Sequence, residues 1–160
     1  MSARTRIASG IALVAMLTAL IPLGLAFAGG PSNTIGPVVM FGAQEVPGPG
    51  DPNGDGEATF TLDAAAGRVC FDLSWRRVAR PMAAHIHRGE AGVAGPIKVT
   101  LFSSRRPLPG TIKQVLGCVR GVDADLVERI IGHPERYYVN VHNRRYPAGA
   151  IRGELAGGPS

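Results

Sequence analysis

Short runs of alternating polar and apolar residues, each halted by a cluster of Gly, Pro, Asn or Asp, fill most of the chain between Val39 and Leu155. Alternation at period two puts one set of side chains on each face of an extended strand, the pattern of a half-buried sheet. Ala58-Thr59-Phe60-Thr61-Leu62-Asp63 alternates in this way, and Arg68–Trp75 is its return strand across an Ala64–Gly67 turn, together a hairpin. Val39–Ala43, Ala83–His87, Ile97–Phe102, Gln114–Val119, Tyr137–His142 and Ala150–Leu155 complete the set. Pro47–Gly56 is dense in turn formers and is expected as an exposed loop. One helix is expected over Asp123–Ile131. Asp123 is its N-cap, Asp125 lies in its first turn, and Leu126, Val127 and Ile130 form its apolar stripe; Gly132 ends it before Pro134. Seven or eight short strands with one short helix predict an all-β fold, an antiparallel Greek-key sandwich or barrel.

Ahead of the strands, Arg4 and Arg6 precede an apolar stretch, Ile7–Phe27, which carries Pro22 and Gly24 and closes on Ala26-Phe27-Ala28. A basic region, an apolar region and a small-x-small site make a signal peptide over residues 1–28, cut after Ala28. A retained membrane anchor is the alternative, because the apolar run is long enough to span a bilayer. Residues 29–38 read as a flexible leader, 39–155 as one β domain and 156–160 as a loose tail. The mature chain is then secreted or periplasmic and free of the membrane, with enough residues for a single core.

The formal charge of +5 falls to +3 once Arg4 and Arg6 are removed. The other arginines are scattered, some in pairs (Arg76-Arg77, Arg105-Arg106, Arg144-Arg145), and only Arg144-Arg145-Tyr146 approaches the basic and aromatic interleaving of a nucleic-acid surface, so no nucleic-acid partner is expected. Cys70 and Cys118 are the only cysteines, and in an oxidising compartment an even count reads as a disulfide. Cys70 alternates against Val69, Phe71 and Leu73, which places the bridge on the outer face or between sheet edges.

His85 and His87 share one strand face and Ile86 takes the other. His142 shares a face with Asn140 and Tyr138, opposite Val139 and Val141. Two imidazoles about 7 Å apart along one strand, joined by a third from a neighbouring strand, can meet around one ion. Neutral imidazoles favour copper or zinc over calcium or magnesium, and three of them leave an open position. The plain alternative is that the rings hydrogen-bond loop backbone and satisfy the Gly89–Gly95 turn.

Residues 51–57 resemble the opening of a calcium loop, yet Leu62 stands where a bidentate Glu is required, so a plain turn is the better reading. Trp75, Tyr137 and Tyr138 are expected as packing residues. Ser103-Ser104 lacks a Gly-x-Ser-x-Gly context, and no catalytic residue is assigned.

Three segments carry a family resemblance. Gly42-Ala43-Gln44-Glu45-Val46-Pro47, the run from Ala84 to Pro96 around His85-Ile86-His87-Arg88-Gly89, and Tyr137–His142 with Pro147–Leu155 resemble the CHRD domain. The domain is named for its repeats in the animal protein chordin and also occurs as single-domain exported bacterial proteins. The resemblance implies an all-β domain, and in chordin an extracellular setting among growth-factor partners; it implies no activity. A weaker resemblance is to copper–zinc superoxide dismutase, a Greek-key barrel whose His-x-His strand and distant His bind copper. His85, His87 and His142 match that set, but the only other histidine, His133, cannot supply the zinc ligands.

The function expected is thus an exported CHRD-type module with a binding or structural role and no established catalytic activity, its partner unknown or an extracellular protein. The alternative is an extracellular copper- or zinc-binding protein using His85, His87 and His142, with superoxide-related redox chemistry.

Overall fold

The period-two segments form strands, and their apolar sides face inward together. A computed structural model describes residues 33–156; the expected signal peptide and residues 157–160 of the expected tail lie outside the described residues. The strands are β1 (Asn33–Phe41), β2 (Asp55–Asp63), β3 (Arg68–Arg76), β4 (Ala83–Arg88), β5 (Ile97–Ser103), β6 (Gln114–Arg120), β7 (Tyr137–His142) and β8 (Ile151–Glu154). All pairings are antiparallel, in the order β5-β4-β7-β8-β1-β2-β3-β6. The edge strands β5 and β6 approach each other, so the sheet curls into a nearly closed Greek-key barrel.

Inside lie Met40, Phe60, Leu62, Phe71, Leu73, Trp75, Ile86, Val139, Val141 and Ile151, all at most 6% exposed. Trp75 packs 6.5 Å from Phe102, which makes it a core residue. A single helix, α1 (Ala124–Gly132), adds Val127 and Ile130 to the core. Its Asp123 cap accepts a hydrogen bond from the Leu126 N–H at 2.8 Å, as expected of an N-cap carboxylate.

One local expectation is corrected. Strand β1 begins at Asn33 and takes in residues 33–38, where a flexible leader is expected. Its register with β2 shifts between Ile35 and Val38, so Pro37, which has no N–H to give the ladder, sits at the irregularity. Strand propensity therefore read weakly there although pairing forms. Residues 51–54 make the turn expected ahead of β2, with Asp51 Oδ1 accepting from the Asn53 N–H at 3.2 Å, and Asp55 is taken up by Arg76 Nε at 2.8 Å and by Arg77 Nη2.

Cys70 and Cys118 are directly opposed across β3 and β6 and joined by a disulfide. Cys70 is half-buried and Cys118 exposed, which places the bridge outside the barrel, where the alternation of Cys70 puts it.

Candidate metal centre

The register of β4 against β7 decides where the histidines go. His85 lies opposite Asn140, His87 opposite Tyr138, and Ala83 opposite His142. Because β-strand neighbours alternate faces, His85, His87, Tyr138, Asn140 and His142 all project from the outer side of the barrel, His142 diagonally beside His85. On β8, Arg152 pairs with Asn140 and Glu154 with Tyr138, so both continue the same face. The loops before β2 and after β4 fold over it; Arg152 is 0% exposed and His87 8%.

The three imidazoles converge. Their ligand-capable nitrogens all lie within 4.8 Å of one another, and among the described residues they are the one such group of three His, Cys, Asp or Glu. His85 Nδ1 contacts His142 Nε2 at 2.9 Å. His87 Nδ1 donates to the Gly95 carbonyl at 2.8 Å, and His142 Nδ1 donates to the Pro147 carbonyl at 3.0 Å. A proton held at Nδ1 leaves a lone pair at Nε2, so both rings are set in the tautomer a metal ligand needs, with a carbonyl fixing ring orientation behind it. His87 Nε2 is buried and has no hydrogen-bond partner. His133, exposed at the end of α1 beside Glu135, takes no part.

The electrostatics suit a cation entering an uncharged site. Burial, then the charges of His142 and His87, push His85 down to about 4. Burial also lowers His87 and His142, with the Gly95 and Pro147 carbonyls pulling each partly back. At neutral pH the three rings present lone pairs rather than N⁺–H groups. Three nitrogens at about 2.0–2.1 Å from a shared Zn²⁺ or Cu²⁺ would lie roughly 3–4 Å apart. The present spacing reaches that with a side-chain adjustment and the breaking of the His85–His142 contact.

Behind the rings stands a buried polar layer. Arg152 donates from Nε to Glu154 at 2.8 Å, from Nη1 to the Val93 carbonyl at 3.0 Å and from Nη2 to the Glu90 carbonyl at 2.9 Å. Its guanidinium covers the Tyr138 ring, which stacks on His87 with centroids 4.8 Å apart at 12°. Arg152 thereby pins the Gly89–Pro96 loop whose Gly95 carbonyl orients His87. Glu45, 5% exposed, lies against Gly149, where a Cβ would come within 2.2 Å of both carboxylate oxygens.

Strand alternation places Tyr138 and Asn140 on the face of His142 without giving them a role, and it does not pick out Glu45, Arg152 or Glu154. The signal for them was the family pattern, since all five fall in two of the segments that carry the CHRD resemblance. The CHRD domain family model matches residues 37–155, almost the whole of the described chain. This chain belongs to the CHRD domain family. No curated protein and no solved structure gives a significant match. Within the CHRD fold seen here, the three motifs meet in space: the first supplies Glu45, the second His85 and His87, the third Tyr138, Asn140, His142, Arg152 and Glu154.

Proposed function

We propose that this chain is an exported CHRD module whose binding role is exercised on a transition metal, copper or zinc, held by His85, His87 and His142. The observation that carries this reading is the convergence of three uncharged imidazoles on one point, two of them locked by backbone carbonyls into the ligand tautomer. All-nitrogen neutral donors select Cu(II) or Zn(II) over hard cations. Three ligands leave a coordination position for water or a partner's side chain. The disulfide and the signal-type segment over residues 1–28 support an oxidising, extracytoplasmic setting. No catalytic step is assigned, because no second histidine set accompanies the first.

The rival is a CHRD module that binds or scaffolds without a metal, and the direct His85–His142 hydrogen bond favours it by pairing two of the three rings. It leaves His87 Nε2 buried and unpartnered, a cost of about 1–3 kcal/mol that a metal ligand role removes.

Elemental analysis of protein purified from the periplasm tests the choice. Near one copper or zinc per wild-type chain, lost in His142→Ala with the fold intact by circular dichroism, supports the metal reading. Wild-type protein that takes up neither metal after dialysis against each would leave the metal-free module.

A further inference from the structure

Four of the five buried side-chain polar atoms without a hydrogen-bond partner among the described residues belong to the layer behind the histidines: Glu45 Oε1, Asn140 Oδ1, Glu154 Oε2 and His87 Nε2. Three of them are acceptors awaiting a donor. Arg152 is near enough to attract Glu45 but makes no hydrogen bond to it, donating instead to Glu154 and to the Val93 and Glu90 carbonyls. The Glu45 carboxyl is wedged between Gly149 and Gly50, where a Cβ would sit 2.8 Å from its Cγ, so it cannot swing out to water. Asn140 stands beside both Glu45 and His87 and links them. A proton on Glu45 removes a buried charge and supplies a donor to a layer otherwise short of them.

We propose that Glu45 is the proton-holding residue of the metal site: buried as the neutral acid, it gives its proton to solvent when a divalent cation occupies His85, His87 and His142. The O–H bond of the carboxylic acid breaks, the proton passes to a buffer base, and the carboxylate left behind offsets part of the charge brought in. Asn140 then turns its amide N–H toward the carboxylate. This rests on the metal reading above.

Burial raises Glu45 to about 7, outweighing the pull of Arg152 on β8 and the hydrogen bonds of the Asn140 side chain and the Val46 backbone, while Glu154 pushes in the same direction as burial. Asp51, in its own loop, spends Oδ1 on the Asn53 N–H. The imidazoles are already uncharged near pH 7, so a proton lost there on metal uptake has to come from elsewhere.

Calorimetric titration of Zn²⁺ at pH 7 in two buffers of different protonation enthalpy counts the protons released. Any metal-bound water contributes alike to wild type and Glu45→Gln, and the difference between them should be about half a proton per zinc. Infrared difference spectra of wild type should lose the carbonyl band of a protonated carboxylic acid on adding zinc, a readout that needs no variant. Equal proton release from both proteins, or an unchanged band, overturns the proposal while leaving the metal site standing. Failure of the wild type to take up zinc or copper overturns the metal reading and this one with it.

Discussion

Arg152 Cζ lies 3.4 Å from the centroid of the Tyr138 ring, with no solvent reaching either the guanidinium or the ring face between them. A cation buried this completely is held by its partners, and removing it strands Glu154 and two loop carbonyls. Arg152→Met should cost about 3–5 kcal/mol in urea unfolding. Arg152→Lys keeps the charge but loses the planar fork, and should recover less than half of that. Wild-type stability in either variant would contradict the role given to this residue.

Gly95 tests the orientation of His87 without touching a ligand. A Cβ at this position would fall 1.6 Å from the Arg88 carbonyl oxygen, so Gly95→Ala must move the loop that supplies the carbonyl to His87 Nδ1. Metal affinity should drop about 10–100-fold, the usual loss when a ligand's supporting hydrogen bond goes. Competition with a chromophoric chelator measures it; undiminished affinity would mean that the carbonyl does not set the ring.

The pH profile of the metal-free protein has two opposing limbs. The folded state raises Glu45 from 4.5 to about 7, so its contribution is complete below about pH 4.5 and disappears as the pH climbs through 7. The folded state lowers the three histidines, so theirs is complete above pH 6.5 and is lost on acidification, through about 4 for His85. Burial raises Glu154 as well, so it adds to the loss on the alkaline side, while the histidine gain levels off once the pH is well above 6.5. The stability difference between wild type and Glu45→Gln, from which the histidines cancel, should therefore shift against wild type as the pH rises from about 6 to about 8. A difference that stays constant over that range counts against a buried neutral Glu45.

The disulfide closes a loop of 48 residues and should contribute about 4 kcal/mol by restricting the unfolded chain. It bridges β3 and β6, whereas the histidines stand on β4 and β7. Cys70→Ser with Cys118→Ser should lower the melting temperature and leave metal stoichiometry unchanged; a coupled loss of both would tie the two halves of the barrel together.

The strands, their faces and the capped helix were legible because each is a local pattern. Alternation alone put His85 and His87 on one side of Ile86, and Cys70 opposite Val69 and Phe71, and the register of β4 with β7 then brought His142 to the same side. The layer behind them was not legible from alternation. An arginine between Ile151 and Gly153 reads as a solvent-facing strand residue. It is buried only because the Gly89–Pro96 loop closes over the outer face, a long-range event that no window around Arg152 encodes. Glu45 is hidden for the same reason, in a turn-rich segment where acids are ordinarily wet. The early start of β1 was obscured by Gly36-Pro37, whose strand-breaking character is absorbed at a register shift.

Strand β1, by which the chain comes into the domain, and β8, by which it leaves, are hydrogen-bonded neighbours. A tether joining one copy to the next need not cross the barrel. Units of this kind can be concatenated, or grafted onto a host protein, with each barrel and its three imidazoles left undisturbed.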